Sequence, residues 1–346
     1  MNRVNVPFTL QLLLTDLHGG PRPRVVLTGP GAPALHAEVA AVQARSVVWA
    51  REIGLIDESQ APRLGRARIA WLPARAYPRG LVGPLQIAAD WTTLFCLLDD
   101  RIEDEGDPAA VERMLAGLAA MFEPGALAGD DAWQRACVDL RERIAATGRG
   151  RLARFAARVR ELFAAFVVEA QTRSAGSIPG LASYLQLREQ TVGLHVEFAL
   201  GEIVEAITLT PAERGHAGLV TLARLASDLV GWANDIYTHE KEMRAGETHN
   251  LVFVLAQAEG LPLAAAVERA VAMHDAALLR FVALADELGG SGSGALRRYA
   301  GCCARGSVGT STGGGRRGAT RGSMSEGTGW GRDWGRETGR YAEEHV

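Results

Sequence analysis

Between Pro33 and Tyr299 apolar residues recur at three- and four-residue intervals, the period of helices laid against a core. Strand-length alternation of β-branched residues does not interrupt the pattern. Leu35, Val39, Val42, Val47, Val48, Ile53 and Leu55 predict a first helix ending near Gly54, and a second spans about 60–76, before Pro78-Arg79-Gly80. A third, entered at Gly83-Pro84, carries Leu85, Ile87, Ala88, Trp91, Leu94, Phe95 and Leu98 and extends to residue 105. Further helices are expected at 108–122, 131–146 and 150–173. The stretch Ile178 to Ile207 reads as helix with a kink at Gly193, 211–242 as a long helix capped by Thr210 and Pro211, and two more follow at 247–258 and 262–288.

The expected class is therefore all-α, a single helical domain over residues 32–300. Residues 1–31, broken by Pro7, Gly19-Gly20, Pro21, Pro23 and Gly29-Pro30-Gly31, read as an irregular arm. Residues 301–332 are rich in Gly, Ser, Thr and Arg and offer little to bury, so they read as a disordered segment. Order-promoting residues return at 333–346.

Composition alters this picture little. The net charge of -3 carries no basic excess for nucleic acid or an anionic membrane surface. Cys96, Cys137, Cys302 and Cys303 lack metal-ligand spacing and are expected to be reduced. The apolar run from Phe8 to Leu14 lacks a basic flank and cleavage pattern, and no charge-free apolar stretch is of spanning length, so a soluble cytoplasmic protein is expected.

Candidate chemistry changes it more. The third helix runs without interruption into Asp99-Asp100-Arg101-Ile102-Glu103-Asp104-Glu105. Asp99 and Glu103 share one face at i and i+4, and Asp100 and Asp104 form the adjacent row. Such crowding calls for a cation or for water, and oxygen-only ligands suit Mg2+ rather than zinc. On the 211–242 helix Asn234, Thr238 and Glu242 fall at i, i+4 and i+8, placing an amide oxygen, a hydroxyl and a carboxylate along one edge. Alone, this triplet equally suits a solvated helix end; opposite the acid block it makes an oxygen tripod for a hard cation.

Asp99-Asp100 with Glu103 or Asp104 as third carboxylate resembles the aspartate-rich motif of bacterial class I terpene synthases, and Asn234, Thr238 and Glu242 resemble their NSE motif. Arg188 stands where that family places a pyrophosphate-sensing arginine, and Thr191, Val192 and Gly193 where it places a helix break. Lys241, the sole lysine, precedes the last ligand, and Arg340-Tyr341 resembles the terminal RY pair. The similarity spans roughly residues 33–300 and 333–341, with milder echoes at Trp49 to Leu55, Ala74 to Pro78 and Trp91.

The resemblance implies a helical bundle around a central apolar cavity, three Mg2+ ions, and a prenyl diphosphate substrate, farnesyl diphosphate being favoured. Its reaction would be ionisation and cyclisation to a sesquiterpene hydrocarbon or alcohol, with pyrophosphate released. Arg188, Lys241, Arg340 and Tyr341 would hold the diphosphate. Trp91, Phe95, Phe198 and Trp232, being aromatic and near the motifs, are candidates to line the cavity, although ordinary core is the better account of each taken alone. The resemblance also implies an antiparallel homodimer. A chain-elongating prenyltransferase would need a second aspartate-rich motif in place of Asn234, Thr238 and Glu242, and no Asp-x-Asp-Asp motif for protonation-initiated cyclisation occurs. A decayed cyclase that only binds diphosphate, or a non-catalytic helical protein, is the alternative. The Gly-rich segment departs from the family pattern and reads as a frameshifted stretch that later returns to frame.

Overall fold

The computed structural model describes residues 8–13, 24–29 and 34–311. Over 34–311 the chain is helical: α1 (Val39–Ile53), α2 (Ala61–Ala67), α3 (Trp71–Ala76), α4 (Val82–Glu105), α5 (Pro108–Ala120), α6 (Ala132–Thr147), α7 (Arg149–Ser174), α8 (Leu181–Thr191), α9 (Leu194–Val204), α10 (Pro211–Arg214), α11 (Ala217–Ala245), α12 (Leu251–Glu259), α13 (Leu263–Ser291) and α14 (Gly294–Ser311). The all-α expectation holds. Among the described residues no single helix is long and apolar enough to cross a membrane.

Four boundaries differ from the sequence reading. The arm contains an antiparallel hairpin, β1 (Phe8–Leu13) with β2 (Arg24–Gly29), running from Phe8 opposite Gly29 to Leu13 opposite Arg24. The breakers Gly19-Gly20, Pro21 and Pro23 fall in its connection, which leaves β-prone runs on either side. The expected 60–76 helix is two helices, because Arg68 adopts the left-handed conformation at φ 53°. Thr210 closes a capping box with Glu213 but caps only the short α10, and α11 starts afresh at the His216 cap. Helix α14 also passes through the expected onset of disorder at 301: Cys302 and Cys303 are buried, and Arg305 donates to the Ala76 carbonyl at 3.0 Å. The rest of the Gly-rich segment, from 312, and residues 333–346 lie outside the described residues.

Helix α4 is the central element. It buries Leu85, Ile87, Ala88, Trp91, Leu94, Leu98 and Ile102, while packing against α1, α3, α6 and α9. Trp91 meets Phe155 and Phe122 edge to face, with ring centroids 5.0 and 6.3 Å apart. Its last turn has no basic residue and ends at left-handed Gly106. Carboxylates there face the negative end of the helix dipole, so the arrangement is disfavoured twice, by mutual repulsion and by the helix itself. A nearby cation or solvating water offsets both.

Candidate functional site

At the end of α4 the two acidic rows part. Asp99 and Glu103 turn toward the protein, Asp100 is half-buried beside them, and Asp104 is exposed. Burial, then the neighbouring carboxylates of Glu103, Glu169 and Asp100, hold the Asp99 carboxyl well above the ordinary carboxylate range. Burial pushes Glu103 up to about 7, opposed by Arg173 and Lys241. Burial, more than any neighbouring charge, is what raises both carboxyls. Arg173, near the end of α7, is the closest compensation: it pairs with Glu169 at 2.8 Å and with Glu247 at 3.0 Å, while both Asp99 and Glu103 act on its guanidinium.

Helix α11 carries Asn234, Thr238 and Glu242 along one edge, all half-buried. Thr238 donates to the Asn234 carbonyl at 2.9 Å, and Glu242 accepts from Asn250 at 2.9 Å. Burial pushes Glu242 up to about 7. Arg188 crosses from α8 and donates from Nη2 to Asn234 Oδ1 at 2.9 Å. It is anchored by Asp235, which accepts from its Nε at 3.1 Å and from the Leu251 N–H at 3.1 Å, and also from the Tyr184 hydroxyl. Gly231 permits this crossing, since a Cβ there would lie 3.3 Å from Arg188 Cγ. The half-buried Lys241 joins the two edges electrostatically through Glu103.

Helix α8 stops at Thr191 and α9 begins at Leu194, the joint being Gly193 at φ 78°. The expected kink is thus a full break. Phe95 of α4 fills the space under the joint, where a Cβ on Gly193 would come within 3.0 Å of its ring. Gly193→Ala is therefore expected to cost about 1–2 kcal/mol from the left-handed backbone alone. That lowers Tm by a few degrees; an unchanged melting curve in differential scanning calorimetry would contradict this account of the joint.

The four aromatic candidates separate. Phe95 keeps some exposure at the joint and lies 6.0 Å from Phe166. Trp91 is 1% exposed and packs within the Phe122–Phe155 cluster. Phe198 packs edge-on to Tyr299 at 6.5 Å, and the buried Trp232 leaves its indole N–H without a partner among the described residues. Arg340 and Tyr341 lie outside the described residues.

The donor chemistry fits a hard cation. Two acids on α4 and an Asn, Thr and Glu edge on α11 offer oxygen only. Among the described residues no three His, Cys, Asp or Glu side chains gather into a ready metal cluster. Buried polar atoms without a hydrogen-bond partner among the described residues include Thr191 Oγ1, Thr248 Oγ1 and both ring nitrogens of His249. Sequence reading passed over Glu169, Arg173, Tyr184, Asp235, Glu247, His249 and Asn250. Asp235 alone carried a signal, an acid on the buried row that includes Trp232 and Ile236.

A family model for terpene synthase family 2, C-terminal metal binding, matches residues 90–280. The chain is 33% identical over 266 residues to a (+)-T-muurolol synthase, (2E,6E)-farnesyl diphosphate cyclizing, of Roseiflexus castenholzii, covering 75% of this chain and 81% of that protein. It is 31% identical over 284 residues to a bonnadiene synthase of Allokutzneria albata, covering 78% of each. The crystal structure of germacradien-4-ol synthase from Streptomyces citricolor superposes with a TM-score of 0.71 at 24% identity, covering 81% of this chain and 95% of that one.

Proposed function

We propose, from the premise that this chain belongs to the terpene synthase family and is a class I terpene synthase, that it binds farnesyl diphosphate with Mg2+ and cyclises it to a sesquiterpene. The observation that carries this reading is the electrostatic link from Lys241, beside the α11 edge, to Glu103 of the α4 acids, with Arg173 acting on the α4 acids and Arg188 bonded to Asn234. Asp99, Glu103 and the flanking Asp100 would hold metal from one side, and Asn234, Thr238 and Glu242 from the other. Bound Mg2+, three ions in this reading, supplies charge stabilisation for the departing pyrophosphate. Arg188 and Lys241 add charge-assisted hydrogen bonds to the same oxygens. The surfaces behind the clamp, Phe95 among them, keep water from the allylic cation. The farnesyl assignment draws on the printed substrate of the Roseiflexus relative.

The purified chain is incubated with geranyl, farnesyl or geranylgeranyl diphosphate and Mg2+, and a pentane extract is analysed by gas chromatography. A terpene hydrocarbon or alcohol is expected from farnesyl diphosphate, abolished by EDTA. Asn234→Ala is expected to lower turnover by about 100-fold, the scale seen when the shell holding a metal is damaged. Saturable diphosphate binding without any product would overturn the reading in favour of a binding protein.

A further inference from the structure

Glu197 lies in the first turn of α9, just past the helix break, and the clamp makes no use of it. Its Oε1 lies 3.0 Å from the hydroxyl of Thr92 on α4. Its main-chain carbonyl accepts from the buried Tyr77 hydroxyl at 2.5 Å, which ties that turn of α9 to the end of α3. Among the described residues no Arg, Lys or His pairs with the carboxyl; burial raises it to about 7, and the Thr92 bond opposes that rise. The side chain nevertheless keeps partial exposure while the residues on either side, Val196 and Phe198, are buried. The carboxyl is thus surrounded by protein yet not sealed.

Its position relative to the clamp follows from α4. Thr92, Cys96, Asp99 and Glu103 fall at i, i+4, i+7 and i+11, one stripe of a helix. At 1.5 Å per residue, Thr92 is about 10 Å along that stripe from Asp99. Cys96 lies between them: the charges acting on its thiol are Asp99, Asp100 and Glu197. A prenyl chain whose head is held at Asp99 therefore runs its tail along the face on which Glu197 sits.

The Thr92 contact suits a group that changes protonation state. The Thr92 hydroxyl also lies 2.8 Å from the Ala88 carbonyl, and it has a single proton for two acceptors. When Glu197 is ionised, Thr92 donates to it. Once Glu197 is protonated it donates to Thr92, which turns its own proton to Ala88. Both states are hydrogen-bonded without movement of heavy atoms. The start of α9 adds the positive end of its dipole, which favours the carboxylate despite its burial.

We propose that Glu197 is a further catalytic residue, the proton acceptor that ends the reaction, with Thr92 as its positioning residue. The proposal rests on the cyclase reading above. A C–H bond next to the cationic carbon breaks, its electron pair becomes the new C=C, and the proton bonds to the Glu197 carboxylate, which returns it to water as the olefin leaves.

The full chain is assayed with farnesyl diphosphate and Mg2+, measuring pyrophosphate release and the extracted products together. Pyrophosphate released by the native chain tests the cyclase reading independently of this proposal. Glu197→Gln, near in size but unable to take up a proton, is expected to lower the principal olefin at least tenfold per pyrophosphate released, with alcohols from water capture or other olefins rising. Glu197→Asp is expected to retain part of the olefin, and also serves if the glutamine variant melts early. Thr92→Val is expected to shift the product ratio in the same direction, but less. An unchanged product ratio per pyrophosphate in Glu197→Gln, or a native chain that yields only alcohol, would overturn the proposal.

Discussion

Glu103→Gln is expected to lower kcat/KM by about 1,000-fold, on the order of 4 kcal/mol of transition-state stabilisation, whereas Asp104→Asn stays within about twofold, as surface substitutions do. Both residues offered a third carboxylate in the sequence, one at i+4 and one at i+5 from Asp99. The structure separates them: Glu103 turns inward beside Asp99, under the charges of Arg173, Glu247 and Lys241, while Asp104 is exposed. Glutamine keeps the shape and removes the charge, so the loss reports charge at the clamp rather than packing. Asp99→Asn is expected to match it. In both, the Mg2+ concentration giving half-maximal rate rises, and excess Mg2+ recovers part of the activity. Mg2+ titrations of turnover for the three variants decide the matter. A large loss in Asp104→Asn with Glu103→Gln near native would show that the register is the other one.

What was legible before any coordinates followed from periodicity. A helix announces its buried face in a 3.6-residue rhythm, so the stretch from α4 to α13 was readable, and the i, i+4, i+8 spacing of Asn234, Thr238 and Glu242 put them on one edge without knowledge of what they face. Pairing across elements is not periodic. Glu169 and Arg173, at i and i+4, look like any surface ion pair; only the fold brings Arg173 between Glu247 and the α4 acids. Glu197 was hidden for a related reason, one acid in an apolar run whose meaning depends on Thr92, 105 positions earlier. The hairpin was missed because Gly and Pro were read as breaking the whole arm, when they occupy only the connection. A lone Gly weakens a helix in a sequence reading; at Gly193 the left-handed φ and the Phe95 ring beneath it turn weakness into a break.

Asp235→Ala is expected to be the most destabilising single substitution near the site, by about 3–5 kcal/mol, or roughly 10 °C in Tm. The carboxylate is 2% exposed and holds Arg188, Tyr184 and the first N–H of α12 at once. Burial lifts Asp235 and the Arg188 guanidinium opposes that lift, so each keeps the other charged in a place that would otherwise neutralise it. Removing the acid leaves Arg188, 13% exposed, with Asn234 Oδ1 at 2.9 Å and a long contact to the Gly231 carbonyl at 3.4 Å as its hydrogen-bond partners among the described residues, and the more distant charges of Glu169 and Glu242. Much of the cost is thus a stranded cation rather than a lost bond. Asp235→Ala/Arg188→Met removes that cation and is expected to regain at least half of the lost stability in chemical denaturation. It is expected to regain no turnover, because the guanidinium proposed to hold the diphosphate is gone. If the double variant is no more stable than Asp235→Ala, the stranded-charge account fails, and Asp235 acts through Tyr184 and the α12 N-terminus alone.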